Sequence, residues 1–125
     1  MTSSTLQVGQ SFEALACRRL EQAGLTRLAA NVRYRFGELD LIMREAGTVV
    51  FVEVRYRQNA HYGGGAVSVT PGKQRRLVRA ASAWLAAHPA EAQRPCRFDV
   101  VSIDGNATSP DITWLKSAFT LDDLG

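Results

Sequence analysis

GELDLIMREAGTVVFVEVRYR, residues 37–57, is the stretch whose reading decides the fold. Two runs rich in Leu, Ile, Val and Phe, at 38–44 and 48–57, flank the pair Ala46-Gly47. Apolar runs of that length on either side of a glycine-containing pair predict two β-strands joined by a tight hairpin. In the second run Val49, Phe51 and Glu53 share one side, and Val50, Val52 and Val54 share the other. A strand apolar on both faces belongs in the interior of a sheet that is covered on both sides. Yet Glu38, Asp40, Glu53 and Arg55 are set into these runs.

A turn centred on Ala46-Gly47 puts Asp40 opposite Glu53 and Glu38 opposite Arg55. Opposed residues of a hairpin share a face, with Cβ atoms about 4.5–5.5 Å apart. Two carboxylates at that distance repel each other, and burial adds a desolvation cost. A retained proton or an intervening cation relieves the conflict. Arg55, on the same face as Glu53, supplies one fixed positive charge, and a divalent metal would supply more. Hard cations such as Mg²⁺ take one or two carboxylates together with waters and substrate phosphates. The competing reading is a solvated face in which Glu38 and Asp40 pair with Arg55 and Arg57. The buried character of the second strand favours the edge of a cleft.

Outward from the hairpin, residues 5–23 read as a helix, with Val8, Phe12, Leu15, Ala16, Leu20 and Ala23 on one side and Gly24 as its C-terminal cap. Glu13 lies on the flank of that stripe, where it reaches the sheet edge. Residues 27–34 read as a first strand. After the glycine-rich loop HYGGG at 61–65, Thr70 and Pro71 mark the N-cap and first position of a second helix. Leu77, Ala80, Ala81, Trp84, Leu85 and His88 form its buried stripe, and Pro89 ends it. His88 caps its end. Residues 97–103 and 112–119 read as further strands. The order is αβββαββ. The hairpins are antiparallel, and the long connection between the third and fourth strands permits a parallel crossover. The expected architecture is one α/β domain over 1–125, a mixed sheet of about five strands flanked by helices.

Composition narrows the function classes. The chain has 125 residues, 46% hydrophobic and 22% charged, which suits one globular core. No apolar run approaches the roughly 20 residues of a membrane helix. The opening MTSSTLQVGQ lacks a secretory pattern. Cys17 and Cys96 fit no metal or redox spacing, so reduced cysteines in a cytoplasmic protein are expected. There is no phosphate loop, nucleophile elbow or paired Cys/His metal motif. Net charge is +3, but between Glu53 and Glu91 there is no acidic residue, while Arg55, Arg57, Lys73, Arg75, Arg76 and Arg79 fall in that interval. Clustered basic residues are the electrostatic footprint of a polyanion site. Arginine outnumbers lysine 13 to 2, and arginine forks onto phosphate with two hydrogen bonds. Lys73 and Gln74 lie on the sheet-facing side of the second helix's N-terminus, the end that favours phosphate. Arg75, Arg76 and Arg79 point elsewhere, to a solvated basic face suited to phosphate tracking.

Five blocks in order, GQSFE (9–13), GELDLI (37–42), FVEVRYR (51–57), VTPGKQRRL (69–77) and RFDVV (97–101), resemble the YraN-type family of uncharacterised bacterial proteins. That family is similar to the restriction-endonuclease-like PD-(D/E)xK nucleases, and to archaeal Holliday-junction resolvases in particular. The resemblance implies a restriction-endonuclease-like sheet with a Mg²⁺- or Mn²⁺-dependent phosphodiester site. By this resemblance Asp40 is the motif aspartate and Glu53 the acidic residue of the (D/E)xK element, both metal ligands. Glu13 matches the glutamate on the first helix, and Arg55 takes the place of the motif lysine. Glu38 has no counterpart. Arg55, Arg57, Lys73, Gln74, Arg75 and Arg76 are the implied nucleic-acid contacts. DNA is the implied partner, branched or single-stranded, with pairing into a homodimer as a further implication. Arginine keeps its proton, so Arg55 cannot act as a base but still stabilises charge on phosphate. The alternatives are a non-catalytic nucleic-acid-binding module and a DNA-repair adaptor anchored through Trp84, Trp114 or the LDDL at 121–124.

Overall fold

Two residues at a hairpin tip bring the sheet into register. In the computed structural model, which describes residues 5–57, 69–105 and 110–119, with side chains from 12 to 56 in the first segment, β2 (Gly37–Glu45) and β3 (Thr48–Arg57) meet across Ala46-Gly47. Glu45 faces Thr48, and the antiparallel ladder runs back to Leu41 facing Val52. The turn takes Ala46 into the left-handed region, at φ 53°. The Arg57 side chain, the HYGGG segment and the C-terminal LDDL lie outside the described residues.

The hairpin is extended on both sides. β1 (Thr26–Tyr34) pairs antiparallel with β2. β3 runs parallel to β4 (Cys96–Gly105), and β4 pairs antiparallel with β5 (Pro110–Phe119). The sheet order is β1-β2-β3-β4-β5, so the all-apolar strand is central. Val49, Val50, Phe51, Val52 and Glu53 are all buried, as expected for a strand covered on both faces.

Helix α2 (Pro71–Ala86) makes the parallel crossover and covers one face. Thr70 caps it by accepting the Lys73 N–H at 3.2 Å, with Pro71 in the first turn. Leu77, Ala80, Ala81 and Trp84 face Val49, Phe51 and Phe98, and the Trp84 ring meets Phe51 edge-on at 6.1 Å. Burying one such large side chain contributes about 1.5–3 kcal/mol. Helix α1 (Thr5–Gln22) covers the other face, packing Phe12, Ala16 and Leu20 on Leu41, Val50, Val52 and Val101. It ends on Gly24 at φ 103°, where the Leu25 N–H reaches the Leu20 carbonyl and the Gly24 N–H the Glu21 carbonyl. Ala23 lies past the helix and is exposed, off the expected stripe. The two helices therefore sandwich the sheet. No helix among the described residues is long and apolar enough to cross a membrane.

Two details differ from the expected outline. Pro89 stops α2 but starts α3 (Pro89–Ala92), one short turn whose Glu91 pairs with Arg44 and Arg94. His88 bridges the two helices, its Nδ1 lying 2.7 Å from the Trp84 carbonyl and its ring stacked on Trp84. The second detail is Asp99 on β4, 1% exposed. Its carboxylate accepts from Arg97 Nε, Trp114 Nε1 and the Ser117 backbone N–H at 2.9–3.0 Å. This network fastens β5 to β4 where Ser117 turns to φ 52° and the pairing slips between Phe98 and Val100. Cys17 is buried, Cys96 half-buried, and both are free, their thiols pushed up by burial.

Candidate active site

The carboxylates meet where the sheet comes apart. The β2–β3 ladder stops at Leu41 facing Val52. One step further, Asp40 and Glu53 are level, as the turn register requires, but no ladder joins them. Instead the Val54 backbone N–H donates to Asp40 Oδ2 at 2.9 Å. A side chain has taken the place of a strand. The face alternation of β2 breaks at this point, since Leu39 and Ile42 both pack on the α2 side while Leu41 packs on the α1 side. Asp40 thus lies at the split, in hydrogen-bond reach of Glu53 and reachable from both helical layers.

Both layers send a group to it. From α1, Glu13 is in hydrogen-bond reach of Asp40. The Asn31 amide nitrogen, turned to donate, lies 2.7 and 3.1 Å from the two Glu13 oxygens. Asn31 achieves this by leaving the strand conformation, at φ 54°, between Ala30 and Val32, which stay paired with β2. An open cleft of about 120 Å³ beside Glu13 is lined by Cys17, Arg27, Ala30, Asn31 and Leu41. From the other layer, Lys73 Nζ comes 3.1 Å from Glu53 Oε2. The capped first turn of α2 places it there.

Crowding at the split shifts the proton affinity of Asp40 and Glu13. Burial and the charge of Glu53 push Asp40 from an ordinary 3.8 to about 8, against the Val54 hydrogen bond, which acts downward. Burial also raises Glu13, and Glu38 adds to the rise. Near neutral pH the cluster therefore retains a proton unless a cation replaces it. Among the described residues no three His, Cys, Asp or Glu side chains close on one metal-sized point. The carboxyls meet in pairs instead, Glu13 with Asp40 and Asp40 with Glu53. Two oxygen-bearing side chains fit a hard cation that keeps waters and substrate phosphate as its other ligands, and they do not fit a closed zinc cage.

The remaining expected residues divide. Glu38 does not face Arg55. Its partner is Arg33 on β1, an exposed ion pair at 3.5 Å, because β2 belongs to β1 alone before the split. Arg55 is half-buried and lies level with Ser102 of β4. The cation that meets Glu53 from the α2 layer is Lys73, which sequence order separates from it by the whole connection to α2. Gln74 donates its side-chain amide to the Val69 carbonyl at 2.7 Å, a clamp on the entry to α2. Arg75 and Arg76 are exposed on α2. Sequence reasoning passed over Asn31. Its one signal is its residue type, since Asn adopts positive φ more readily than most.

Comparison with known proteins agrees with this geometry in extent. The chain matches the Uncharacterised protein family UPF0102 over residues 12–103, an interval running from α1 to β4 and including all the site residues. It is 54% identical over 123 residues to a UPF0102 protein of Xanthomonas campestris pv. campestris (strain B100), covering 98% of this chain and 99% of that one. It is 50% identical over 123 residues to one from Xanthomonas oryzae pv. oryzae (strain MAFF 311018), with the same coverage. Against the UPF0102 protein YraN of Escherichia coli (strain SMS-3-5 / SECEC) the identity is 52% over 117 residues, 93% of this chain and 86% of that one.

Proposed function

This chain belongs to the Uncharacterised protein family UPF0102, and from that premise we propose that it is a metal-dependent nuclease acting on DNA. The observation that carries the reading is Asp40, held at a split in the sheet between Glu13 and Glu53 and pushed up to about 8 by burial and charge. A structural role would not call for such crowding. A divalent cation relieves it, and the similarity to restriction-endonuclease-like enzymes supplies the reaction class.

Asp40 and Glu53 are the residues that would hold Mg²⁺ or Mn²⁺. When bound, such an ion supplies positive charge to the scissile phosphate and acidifies an attacking water. The chain's own groups do the rest. The Val54 N–H fixes one Asp40 oxygen and leaves the carboxylate oriented into the split. Asn31 holds Glu13 behind it, and the raised pKa of Glu13 suits that carboxyl to exchange a proton near the reacting centre. Lys73 meets Glu53 from the α2 layer and provides the ammonium that the motif position, filled by Arg55, lacks. Arg55 serves to bind phosphate and its developing charge.

Of the anchors named for an adaptor, Trp84 is buried in the core and the Trp114 indole N–H is engaged by Asp99, while the LDDL segment lies outside the described residues. The non-catalytic binding module is the rival that the experiment separates. Calorimetry of Mn²⁺ binding to the wild-type protein and to Asp40→Asn, followed by cleavage of branched and single-stranded DNA, is the test. Metal binding and cleavage are expected to vanish together in Asp40→Asn, while DNA binding in EDTA holds or tightens. Absence of metal binding by the wild type with DNA present would sink the nuclease reading.

A further inference from the structure

Arg75, Arg76 and Arg79 stand on the exposed side of α2, and none of them forms an ion pair among the described residues. By contrast Arg33, Arg44, Arg94 and Arg97 each answer a carboxylate. The three arginines line an open cleft of about 390 Å³ whose other walls are Gly72 and the Phe36 ring. The cleft is built by a close approach. Gly37, next to Phe36, brings the β1–β2 turn against α2 so tightly that a Cβ there would meet the Arg76 carbonyl oxygen at 2.9 Å. On the turn side, Tyr34 stacks parallel to Phe36 at 5.4 Å, and Arg79 Cζ lies 4.6 Å from the Phe36 centroid.

The cleft therefore offers two kinds of contact. Arg75 and Arg76 present uncompensated forks that match phosphate oxygens. Arg79 and Phe36 present a flat cationic and aromatic surface. In a duplex the base faces are stacked inside and have no use for such a surface, whereas an unpaired base has a free face to lay on it. Arg76 lies one helical turn beyond Lys73, and Arg79 two, which spaces the cleft about 5–9 Å along the helix from the residue that meets Glu53.

We propose that this cleft holds one nucleotide of an unpaired DNA strand, its phosphate on Arg75 and Arg76 and its base against Arg79 and Phe36, beside the phosphate presented to Asp40 and Glu53. The inference rests on the reading of the protein as one that acts on nucleic acid, and it narrows the substrate to strands with an unpaired segment.

Fluorescence polarisation of the full chain in EDTA tests it without catalysis. The probes are a labelled oligothymidylate and a labelled blunt duplex of the same length. Arg79→Ala is expected to weaken oligothymidylate binding about 5- to 100-fold, the range of a lost base stack, and duplex binding far less. Phe36→Leu should do the same, with its melting temperature as a folding control, and Arg79→Ala decides alone if that variant does not fold. The double variant Arg75→Ala, Arg76→Ala should flatten the dependence of log affinity on log salt by about 0.7 for each phosphate it no longer neutralises. Equal weakening for both probes in Arg79→Ala, or none, overturns the proposal. So does inorganic tripolyphosphate competing as well as oligothymidylate at equal phosphate concentration, which would mark a bare anion cleft. Cleavage by the wild type in Mn²⁺ is scored separately. Cleavage without the Arg79 selectivity refutes the cleft and spares the nuclease, and selectivity without cleavage does the reverse.

Discussion

Asp40→Asn in metal-free protein should stabilise the fold at alkaline pH, an unusual result for a substitution at a half-buried, hydrogen-bonded carboxyl. Asp40 binds its proton up to about pH 8 when folded and releases it near 3.8 when unfolded. A folded pKa above the unfolded value means that the folded state holds more protons. Stability is then full below about pH 4, falls as pH rises, and levels off above about pH 8. With about 1.4 kcal/mol for each pH unit, a lone group would forfeit roughly 4 kcal/mol by pH 7. Glu13 and Glu53 share the charge, and the site is partly open to water, so about 1–3 kcal/mol is the expected loss. Asparagine carries no such loss. Its oxygen still accepts the Val54 N–H, and its amide donates to the neighbouring carboxylates. Urea denaturation in EDTA at pH 5 and pH 8 reads the effect. The wild type should lose stability between the two, and the variant should lose less and be the more stable at pH 8. Adding Mn²⁺ should rescue the wild type alone. A variant equal to or weaker than the wild type at pH 8 in EDTA would refute the claim that charge is crowded at the split.

Three further outcomes follow from the packing. Gly37→Ala pushes a methyl group to 2.9 Å from the Arg76 carbonyl oxygen, and lifting the turn off α2 should cost about 1–3 kcal/mol in a denaturation midpoint. Asp99→Asn turns a donor group toward Arg97, Trp114 and the Ser117 N–H, and a loss of about 3 kcal/mol with altered Trp114 fluorescence is expected; a change under about 1 kcal/mol would mean that β5 is held otherwise. Ala46→Gly relieves a left-handed alanine at the exposed hairpin tip, and the relief less the added freedom of the unfolded chain should raise stability by about 0.5–1 kcal/mol in the same assay.

Much of the fold was legible because local patterns and global packing agree. The strand apolar on both faces fell in the centre of the sheet, and the Thr70-Pro71 start and the Gly24 stop mark real helix ends. The turn at Ala46-Gly47 set Asp40 level with Glu53, and the register held through Leu41 and Val52. Where that register failed to predict a contact, at Glu38 and Arg55, the cause was a strand that changes partners along its length. No periodicity reports such a change, because the backbone remains extended on both sides of it. The turn of α3 escaped for a different reason, since Pro89 is as good a start for a helix as a stop.

By itself the sequence determined the elements, their order and which residues carry charge inside them, since hydrophobic period, caps and turn residues act over a few neighbours. Tertiary structure alone decided which charges meet. Glu13, held by Asn31 of β1, reaches Asp40 from one layer, and Lys73 reaches Glu53 from the other. Those encounters join segments far apart in the chain, and their energies depend on burial and on distances of a few ångströms. Both quantities come into being only when the helices close on the two faces of the split sheet.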